Sequence, residues 1–293
     1  MPTPINREKS HTTYIFNENN EKEADETARL LVQDRSLTQA MESLLPDALD
    51  TNAVHSVLDL ACGPGGWALD VAHAYPQMEV VGVDLSIKMV RFANTTADGR
   101  NLRNASFQVM NVLEPLEFPD DSLDFVNARL LQSFVSKDAW PKLLQECLRI
   151  TRPGGTIRLI EAEWGFGNGE ASEKLSALIT QAMWLDGKAF APQGKMIGIT
   201  FMISQFLRDL GLETVQQKGH IVEYSAGTPA HETWYQNARY GYQGLAPFLI
   251  KKGVTTQEEF DTLYEQALAE MLLPNFCGIF FFVSTWGKKP ATI

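Results

Sequence analysis

The chain has 293 residues, of which 44% are apolar, so it can bury the core of one large domain or of a core with a modest lid. Its formal net charge of −11 argues against DNA or RNA as a substrate, because nucleic-acid affinity depends on clustered Lys and Arg. The three cysteines lack the spacing of a metal site, and their odd number suits a reducing cytoplasm. The N-terminus is polar and has no apolar signal core, and no apolar stretch is long enough to predict a membrane span.

The most informative segment is a glycine turn between two predicted strands. An apolar run at 57–60 predicts a parallel strand that is buried on both faces. Gly63 and Gly65 lack the β-carbons that would hold a ligand away from the backbone, and the spacing at 67–75 predicts a helix that begins here. Asp84 ends the next strand, 21 positions after Gly63, as expected of a carboxylate that accepts two ribose hydroxyls. This order of strand, glycine turn, helix, second strand and acidic residue predicts a nucleoside-binding site.

The glycine loop separates two classes of cofactor. A dinucleotide site has Gly-x-Gly-x-x-Gly, whereas Trp67 and Ala68 occupy the place of a third spaced glycine here. The segment instead resembles motif I of the class I S-adenosylmethionine-dependent methyltransferases. Three later segments resemble further motifs of that family in the right order, at 107–112, 118–126 and 148–156.

The resemblance covers about residues 55–160 and implies an α/β fold. In that family the fold is a doubly wound, Rossmann-like sheet of seven strands, mostly parallel with one antiparallel strand. In their amino-acid sequence, the motifs most resemble the small-molecule branch of the family, which includes ubiquinone and menaquinone C-methyltransferases and natural-product methyltransferases. The resemblance also implies S-adenosyl-L-methionine as the methyl donor and S-adenosyl-L-homocysteine as the product.

Cofactor contacts follow from the same resemblance. The family often has Asp where this chain has Asn111, so an amide oxygen or the backbone around Val112 would meet the adenine amino group. Asn127, at the end of strand four, is either a contact to the methionine moiety or a structural turn residue. Arg29 is either a partner of the cofactor carboxylate or a solvated helix charge. The expected cofactor-binding residues are therefore Arg29, Gly63, Gly65, Asp84, Leu85, Asn111, Val112 and Asn127.

The rest of the chain alternates strand and helix, as a doubly wound sheet requires. The pattern predicts strand four at 125–128 and strand five at 156–161, with a helix at 140–150 between them. A helix at 201–210 follows, and two antiparallel strands at 212–224 and 278–286 end the sheet.

Three stretches are additional to that core, namely residues 1–50, about 164–198 and about 228–276. We expect 1–50 to be a helical lid or docking segment, and 51–293 to be the cofactor-binding domain with two lid insertions. Each stretch shows helical signals: a docking stripe that continues to Leu44 and Leu45, an amphipathic run at 175–183, and a capping box formed by Thr256 and Glu259. Insertions after strand five reach the ligand-binding edge of such sheets, which predicts a helical lid over the site.

Catalytic candidates come from these additions. Tyr14 precedes the docking helix and could close over the methyl group or be only an ordered-tail aromatic. Glu163 follows strand five on the substrate side, and His231 could be a general base, although carboxylates are usually solvated and a lone His is more often packed. His55 and His73 are expected in the core near the cofactor elements.

An aromatic run favours an apolar acceptor pocket, with Trp164, Trp234 and Tyr235 as substrate-binding candidates; packing of the lid is the alternative. The predicted function is methyl transfer, by in-line displacement, to a small lipophilic or aromatic acceptor such as a secondary metabolite or a prenylated compound. Whether O, N or C is methylated stays open. The alternative is a protein in which the bound cofactor is structural and the lid performs a cyclisation or binds a partner. The N-terminal helix could also dock across a neighbouring subunit in a homo-oligomer.

Overall fold

A single mixed sheet organises the chain, and the computed structural model describes residues 14–15 and 23–291. The strands are β1 (Ser56–Leu60), β2 (Glu79–Asp84), β3 (Ala105–Val109), β4 (Leu123–Arg129), β5 (Thr151–Ala162), β6 (Phe166–Gly167), β7 (Glu213–Glu223) and β8 (Gly278–Lys288). The α-helices are α1 (Glu23–Met41), α2 (Gly66–Ala74), α3 (Ile87–Gly99), α4 (Trp140–Ile150), α5 (Glu170–Leu185), α6 (Ile203–Asp209), α7 (His231–Lys251) and α8 (Gln257–Met271).

The long strands are ordered β3-β2-β1-β4-β5-β8-β7. β1 to β5 pair in parallel, and β8 runs antiparallel to both of its long neighbours, β5 and β7. The two-residue β6 pairs with the start of β8. The predicted sheet of seven strands with one antiparallel strand is therefore confirmed, and β6 is a short addition to it. Because the parallel strands share one direction, their carboxyl ends meet at one edge.

The alternation of side chains along β1 builds a core on each face of the sheet. Val57 points into a cluster with Trp67 of α2, while Leu58 and Leu60 join Trp140 of α4 in the largest cluster on the opposite face. All five side chains are at most 1% exposed. This double burial explains why the strand is apolar at consecutive positions.

The additional helices pack on one another above the sheet edge: α1 contacts α7, α5 contacts α8, and α7 contacts α8. The predicted capping box is confirmed, since the Thr256 hydroxyl accepts a hydrogen bond from Glu259 N (3.2 Å) and the Glu259 carboxylate accepts one from Thr256 N (2.9 Å). The helix predicted at 175–183 is part of α5.

Several sequence expectations need correction. The docking helix ends at Met41, because Glu42 has a φ of 63°, so Leu44 and Leu45 follow the helix rather than continuing its stripe. His55 and His73 are exposed, not in the core. Residues 1–13 and 16–22 of the predicted N-terminal segment lie outside the described residues.

In the described part of the chain, no helix combines the length and apolar character needed to cross a membrane.

Candidate functional site

A cavity of about 500 Å³ lies at the carboxyl ends of the parallel strands. Its wall includes the segments that directly follow β1, β2, β3, β4 and β5, together with one face each of α1 and α7. This is where ligands bind in open α/β sheets, and the volume lies within the range of small-molecule sites.

Asp84 forms one wall at the end of β2. One carboxylate oxygen accepts a hydrogen bond from Gly63 N (2.9 Å) and the other from Ser86 N (2.8 Å). Burial raises the pKa of Asp84, and these two backbone hydrogen bonds oppose that shift. A carboxylate oxygen accepts more than one hydrogen bond, so both oxygens retain capacity for ribose hydroxyls.

The neighbouring wall suits a base. Asn111 and Val112 line the cavity just after β3, and the Asn111 side chain accepts a hydrogen bond from Leu113 N (3.0 Å), which shapes the turn. Leu85 also lines the cavity and is 43% exposed. The Asp84 carboxylate, the apolar side chain of Leu85 and the Asn111 amide together fit a nucleoside.

The glycines of the turn have different surroundings. Gly63 lines the cavity, and the nearest atom to a β-carbon there would be 3.8 Å away, on Leu30. Gly65 does not line it: a β-carbon there would lie 2.7 Å from Phe107 and 2.9 Å from Ala93. A β-carbon at Gly65 would therefore point into the core, while a contact between Gly65 and the cofactor stays a prediction.

Tyr14 and α1 bring a hydrogen-bonded group to the cavity. The Arg29 guanidinium donates two hydrogen bonds of 2.7 Å to the Glu26 carboxylate, and one of 3.3 Å to Asn237 of α7. The Tyr14 hydroxyl donates to Glu26 (3.0 Å). Burial opposes the charge on Arg29, but Glu26 outweighs this effect, and the pKa of Arg29 is raised. Arg29 is 4% exposed and lines the cavity, so it is not a solvated helix charge.

A second ion pair joins α1 to the sheet. Arg129, the last residue of β4, contacts the carboxylate of Asp34 at 2.5 Å, and both residues line the cavity. Burial opposes the charge on Arg129, but Asp34 and Asp59 outweigh it and raise the pKa of Arg129.

Asn127 is not among the residues of the cavity wall, and its contact with the methionine moiety stays a prediction. It is fully buried between two charged groups: its amide nitrogen donates to Asp59 (2.7 Å), and its amide oxygen accepts from Arg158 Nε (2.7 Å). Burial raises the pKa of Asp59 to about 6 and lowers that of Arg158 to about 9. These contacts give Asn127 a structural role inside β4, which differs from the turn residue expected as the alternative.

Glu163 lines the cavity, but its carboxylate is engaged by a loop. It accepts hydrogen bonds from Ile197 N (2.9 Å), Gly198 N (3.0 Å) and the Thr200 hydroxyl (2.9 Å). These contacts give Glu163 a structural role in holding the loop after α5, while a catalytic role for it stays a prediction.

One face of α7 lines the cavity, and its spacing is helical: Trp234, Asn237, Ala238, Gly241 and Tyr242. Tyr235 is the next residue after Trp234 and points about 100° away from it. It is not among the wall residues, and its role in substrate binding stays a prediction. Trp164, the third substrate-binding candidate, is in the wall.

The aromatic residues of the wall are in contact. The Trp234 ring stacks on Tyr224 (centroids 5.3 Å apart) and is tilted against Phe280 (4.7 Å). Burial raises the pKa of Tyr242 to about 12, opposed by a hydrogen bond with Trp164, so its phenol is protonated at neutral pH.

His231 begins α7 but does not line the cavity. Its Nδ1 lies 3.0 Å from the Tyr224 carbonyl oxygen, and its ring packs against Phe276. This position gives the general-base prediction no geometric support.

Sequence reasoning did not single out several wall residues. Helical spacing from Arg29 and Trp234 would have found Glu26 and Asn237, because each lies three positions away on the lining face. Asp34 lies five positions from Arg29, about 140° around the helix, so spacing from Arg29 does not find it. Tyr224 follows β7 and Phe280 lies in β8, and neither has such a signal. Among the described residues there is no group of three or more His, Cys, Asp or Glu that could hold a metal ion.

Part of the chain is similar to known proteins. Residues 57–155 match the family described as "Methyltransferase domain". The chain is 31% identical over 135 residues to phosphoethanolamine N-methyltransferase 1 of Triticum aestivum, covering 46% of this chain and 26% of that protein. It is 32% identical over 105 residues to demethylmenaquinone methyltransferase of Geobacillus kaustophilus, covering 36% and 44% of the two chains.

A solved structure has the same fold. The phosphoethanolamine N-methyltransferase 2 of Haemonchus contortus, in complex with phosphomonomethylethanolamine and S-adenosylhomocysteine, superposes with a TM-score of 0.54 at 18% identity, over 92% of this chain and 58% of that one. The matches to the two curated relatives thus span less than half of those proteins' own lengths.

Proposed function

Since the chain contains a class I S-adenosylmethionine-dependent methyltransferase domain, with S-adenosyl-L-methionine as its cofactor, we propose that the protein transfers a methyl group to a small lipophilic or aromatic molecule. The observation that carries this proposal is one continuous cavity. Asp84 and Asn111 line it together with the aromatic face of α7.

Each part of the cofactor would have its own contacts in the cavity wall. Asp84 would hold the ribose, and Leu85, Asn111 and Val112 would enclose the base. Arg29 would hold the methionine carboxylate, and its partner Glu26 would hold the ammonium group. When bound, the cofactor supplies an electrophilic methyl group on a sulfonium.

The chain itself would align the acceptor and exclude water. In-line displacement requires the acceptor atom to lie on the axis of the breaking bond, and alignment with desolvation can lower a barrier by on the order of 7 kcal/mol. Trp164, Trp234 and Tyr242 line the same cavity and would hold an apolar acceptor by its faces. Tyr14 would close the methyl-transfer region, held by its hydrogen bond to Glu26.

Incubation of the full chain with methyl-labelled S-adenosylmethionine and a library of phenols, indoles and quinols tests the proposal. We expect labelled product with at least one acceptor class. Cofactor binding with no transfer to any acceptor would contradict it and favour a protein whose cofactor is structural.

Three finer predictions depend on the sequence alone: a role in secondary metabolism, a cytoplasmic location, and a homo-oligomer formed through α1. In the structure α1 packs within its own chain against α7, α2 and β7. Size-exclusion chromatography with light scattering would test the oligomer.

A further inference from the structure

The turn that follows β4 brings an amide without a partner to the cavity wall. Gln132 lines the cavity and is 8% exposed, and its amide oxygen is buried with no hydrogen-bond partner among the described residues. An amide that loses its hydration without gaining a hydrogen bond destabilises the folded state. Such a group in the wall of a ligand cavity therefore indicates a partner on the ligand.

The backbone of this turn is held in a conformation that side chains rarely adopt. Leu130, at its start, has a φ of 55°, in the left-handed region that is unfavourable for leucine. The Glu161 carboxylate, fully buried in β5, accepts hydrogen bonds from Leu131 N (2.9 Å) and Gln132 N (3.3 Å). Both the strained leucine and the buried carboxylate cost free energy, and together they fix the position of Gln132. Backbone strain of this kind is concentrated at ligand-binding sites.

The order of the strands places Gln132 on the acceptor side of the cavity. β1 separates β4 from β2, whose end carries the proposed ribose carboxylate, so two strand spacings, or roughly 10 Å, lie between them. The other neighbour of β4 is β5, which leads to Trp164 in the wall. Ser133 O accepts a hydrogen bond from Ile15 N (3.3 Å), next to Tyr14, which is proposed to close the methyl-transfer region. Gln132 therefore belongs to the acceptor part of the wall rather than to the nucleoside part.

Other buried polar atoms of the wall do not supply the missing partner. Asp34 and Arg129 also have such atoms, but their side chains form an ion pair with each other. Trp234 Nε1, a donor, is likewise without a partner among the described residues. An amide oxygen only accepts hydrogen bonds, so Gln132 Oε1 needs an O–H or N–H donor. Within the described wall no side chain donates to it.

We infer that Gln132 determines acceptor specificity, because its amide oxygen accepts a hydrogen bond from an O–H or N–H group of the molecule that is methylated. This inference rests on the proposed function and deepens it, since it names a chemical group that the acceptor must carry. A site that hydrogen-bonds such a group discriminates strongly against an analogue without it, whereas an apolar wall alone does not. The amide takes up no proton at neutral pH, so Gln132 would orient the acceptor and not act as its base.

Two probes of nearly equal size test the inference. 2-Naphthol, which has an O–H donor, and 2-fluoronaphthalene, which has none, are titrated at pH 7 into the full chain saturated with S-adenosylhomocysteine, with calorimetric detection. We expect 2-naphthol to bind at least tenfold more tightly than 2-fluoronaphthalene. Equal binding of the two probes, or binding of neither, overturns the inference.

Substitution at position 132 tests which side chain causes the preference. Gln132→Met keeps the length of the side chain but removes the amide, so 2-naphthol should lose at least tenfold in affinity while 2-fluoronaphthalene changes less than threefold. Gln132→Glu retains an acceptor oxygen and should keep the preference for 2-naphthol. The matched control is Gln216→Met, at an exposed position of β7, which should bind both probes as the wild type does. A preference that persists in Gln132→Met overturns the inference.

Stability separates a ligand-binding role from a structural one. Gln132→Met removes a buried amide oxygen that has no partner, so its urea midpoint without ligand should equal or exceed that of the wild type. A lower midpoint would show that Gln132 stabilises the fold, and would overturn the inference.

Cofactor binding separates the inference from the proposed function. S-adenosylhomocysteine should bind to Gln132→Met as tightly as to the wild type, and a loss of that affinity would place the amide on the cofactor and overturn the inference. Failure of the wild type to bind S-adenosylhomocysteine would instead count against the proposed function. None of these measurements depends on methyl transfer.

Discussion

Gly63 and Gly65 stand two positions apart in one turn and serve different purposes. Both have a positive φ, of 54° and 80°, which glycine adopts without strain. Only Gly65 also needs the missing β-carbon for packing, because Phe107 and Ala93 lie within 3 Å of that point. The motif spacing identifies both glycines, but it does not say which one faces a ligand.

Substitution of these glycines by Ala should separate packing from backbone strain. Gly65→Ala should lower the free energy of unfolding by about 1–3 kcal/mol more than Gly63→Ala, because only the former overpacks the core. Urea unfolding followed by circular dichroism measures the difference. Equal destabilisation of both variants would contradict the assignment of Gly65 to the core.

Asp84→Ala tests the ribose subsite. Loss of hydrogen bonds to a charged group should weaken S-adenosylhomocysteine by about 1.5–3 kcal/mol. Isothermal titration measures the affinity, and Asp98→Ala, at an exposed position of α3, is the control that should bind as the wild type does. An unchanged dissociation constant for Asp84→Ala would rule out the ribose contact.

At the level of elements, α1 and α7 form the cavity because each presents one helical face to it. α1 contributes positions 26, 29, 30, 33, 34 and 37, and its only described ion pair to the sheet is that between Asp34 and Arg129. A β-carbon on Gly66, at the start of α2, would collide with the Asp34 carboxylate. The site therefore depends on how α1 docks, and this docking uses a buried charge pair.

Removal of one partner of that pair should lower the free energy of unfolding more than removal of both. Asp34→Ala leaves Arg129 buried with Asp59 as its remaining acidic neighbour and should cost about 3–5 kcal/mol of unfolding free energy. The double variant Asp34→Leu with Arg129→Met should recover most of that loss, because two apolar side chains replace the pair. Unfolding curves of the two variants and the wild type measure this. A double variant less stable than Asp34→Ala would contradict the expectation that apolar side chains can replace the pair.

At the scale of the whole molecule, buried acids make stability depend on pH. Glu161 is fully buried and accepts hydrogen bonds from Leu131 N (2.9 Å) and Gln132 N (3.3 Å). Burial raises its pKa from 4.5 to about 8, and the nearby Glu163 carboxylate contributes to the rise. Between these two values the folded state holds a proton that the unfolded state releases. Rising pH therefore favours unfolding across this window.

We expect the free energy of unfolding to fall by at least ~1 kcal/mol between pH 5 and pH 8, since one pKa unit corresponds to about 1.4 kcal/mol. Asp59, with a pKa of about 6, adds to the fall at the acidic end. Glu161→Gln should flatten the dependence, whereas Glu173→Gln, at an exposed position of α5, should keep it. Urea unfolding at four pH values measures the slopes, and identical slopes for wild type and Glu161→Gln would contradict the assignment.

Most of the sheet could be predicted because its signals are local. Apolar residues on both faces of one strand, such as Val57, Leu58 and Leu60, must be covered on both sides, and the glycines that follow end the strand independently of the distant chain. The capping box at Thr256 is similarly local, since both of its hydrogen bonds join residues three positions apart. In contrast, the 21-residue α7 was read only as an aromatic run, because its helical face becomes evident once the direction of the cavity is known.

The sequence by itself determined the cofactor half: a turn, a strand-end carboxylate at Asp84 and the order of the later motifs, all set by spacing along one chain segment. Only the tertiary structure decided which residues form the proposed acceptor half. It joined Trp164 and Tyr224 to Trp234 of α7, and it matched Arg29 with Glu26 and Arg129 with Asp34 inside one cavity. The physical reason is that burial and charge pairing depend on contacts between residues far apart in sequence, such as Arg29 with Asn237, which no local spacing encodes.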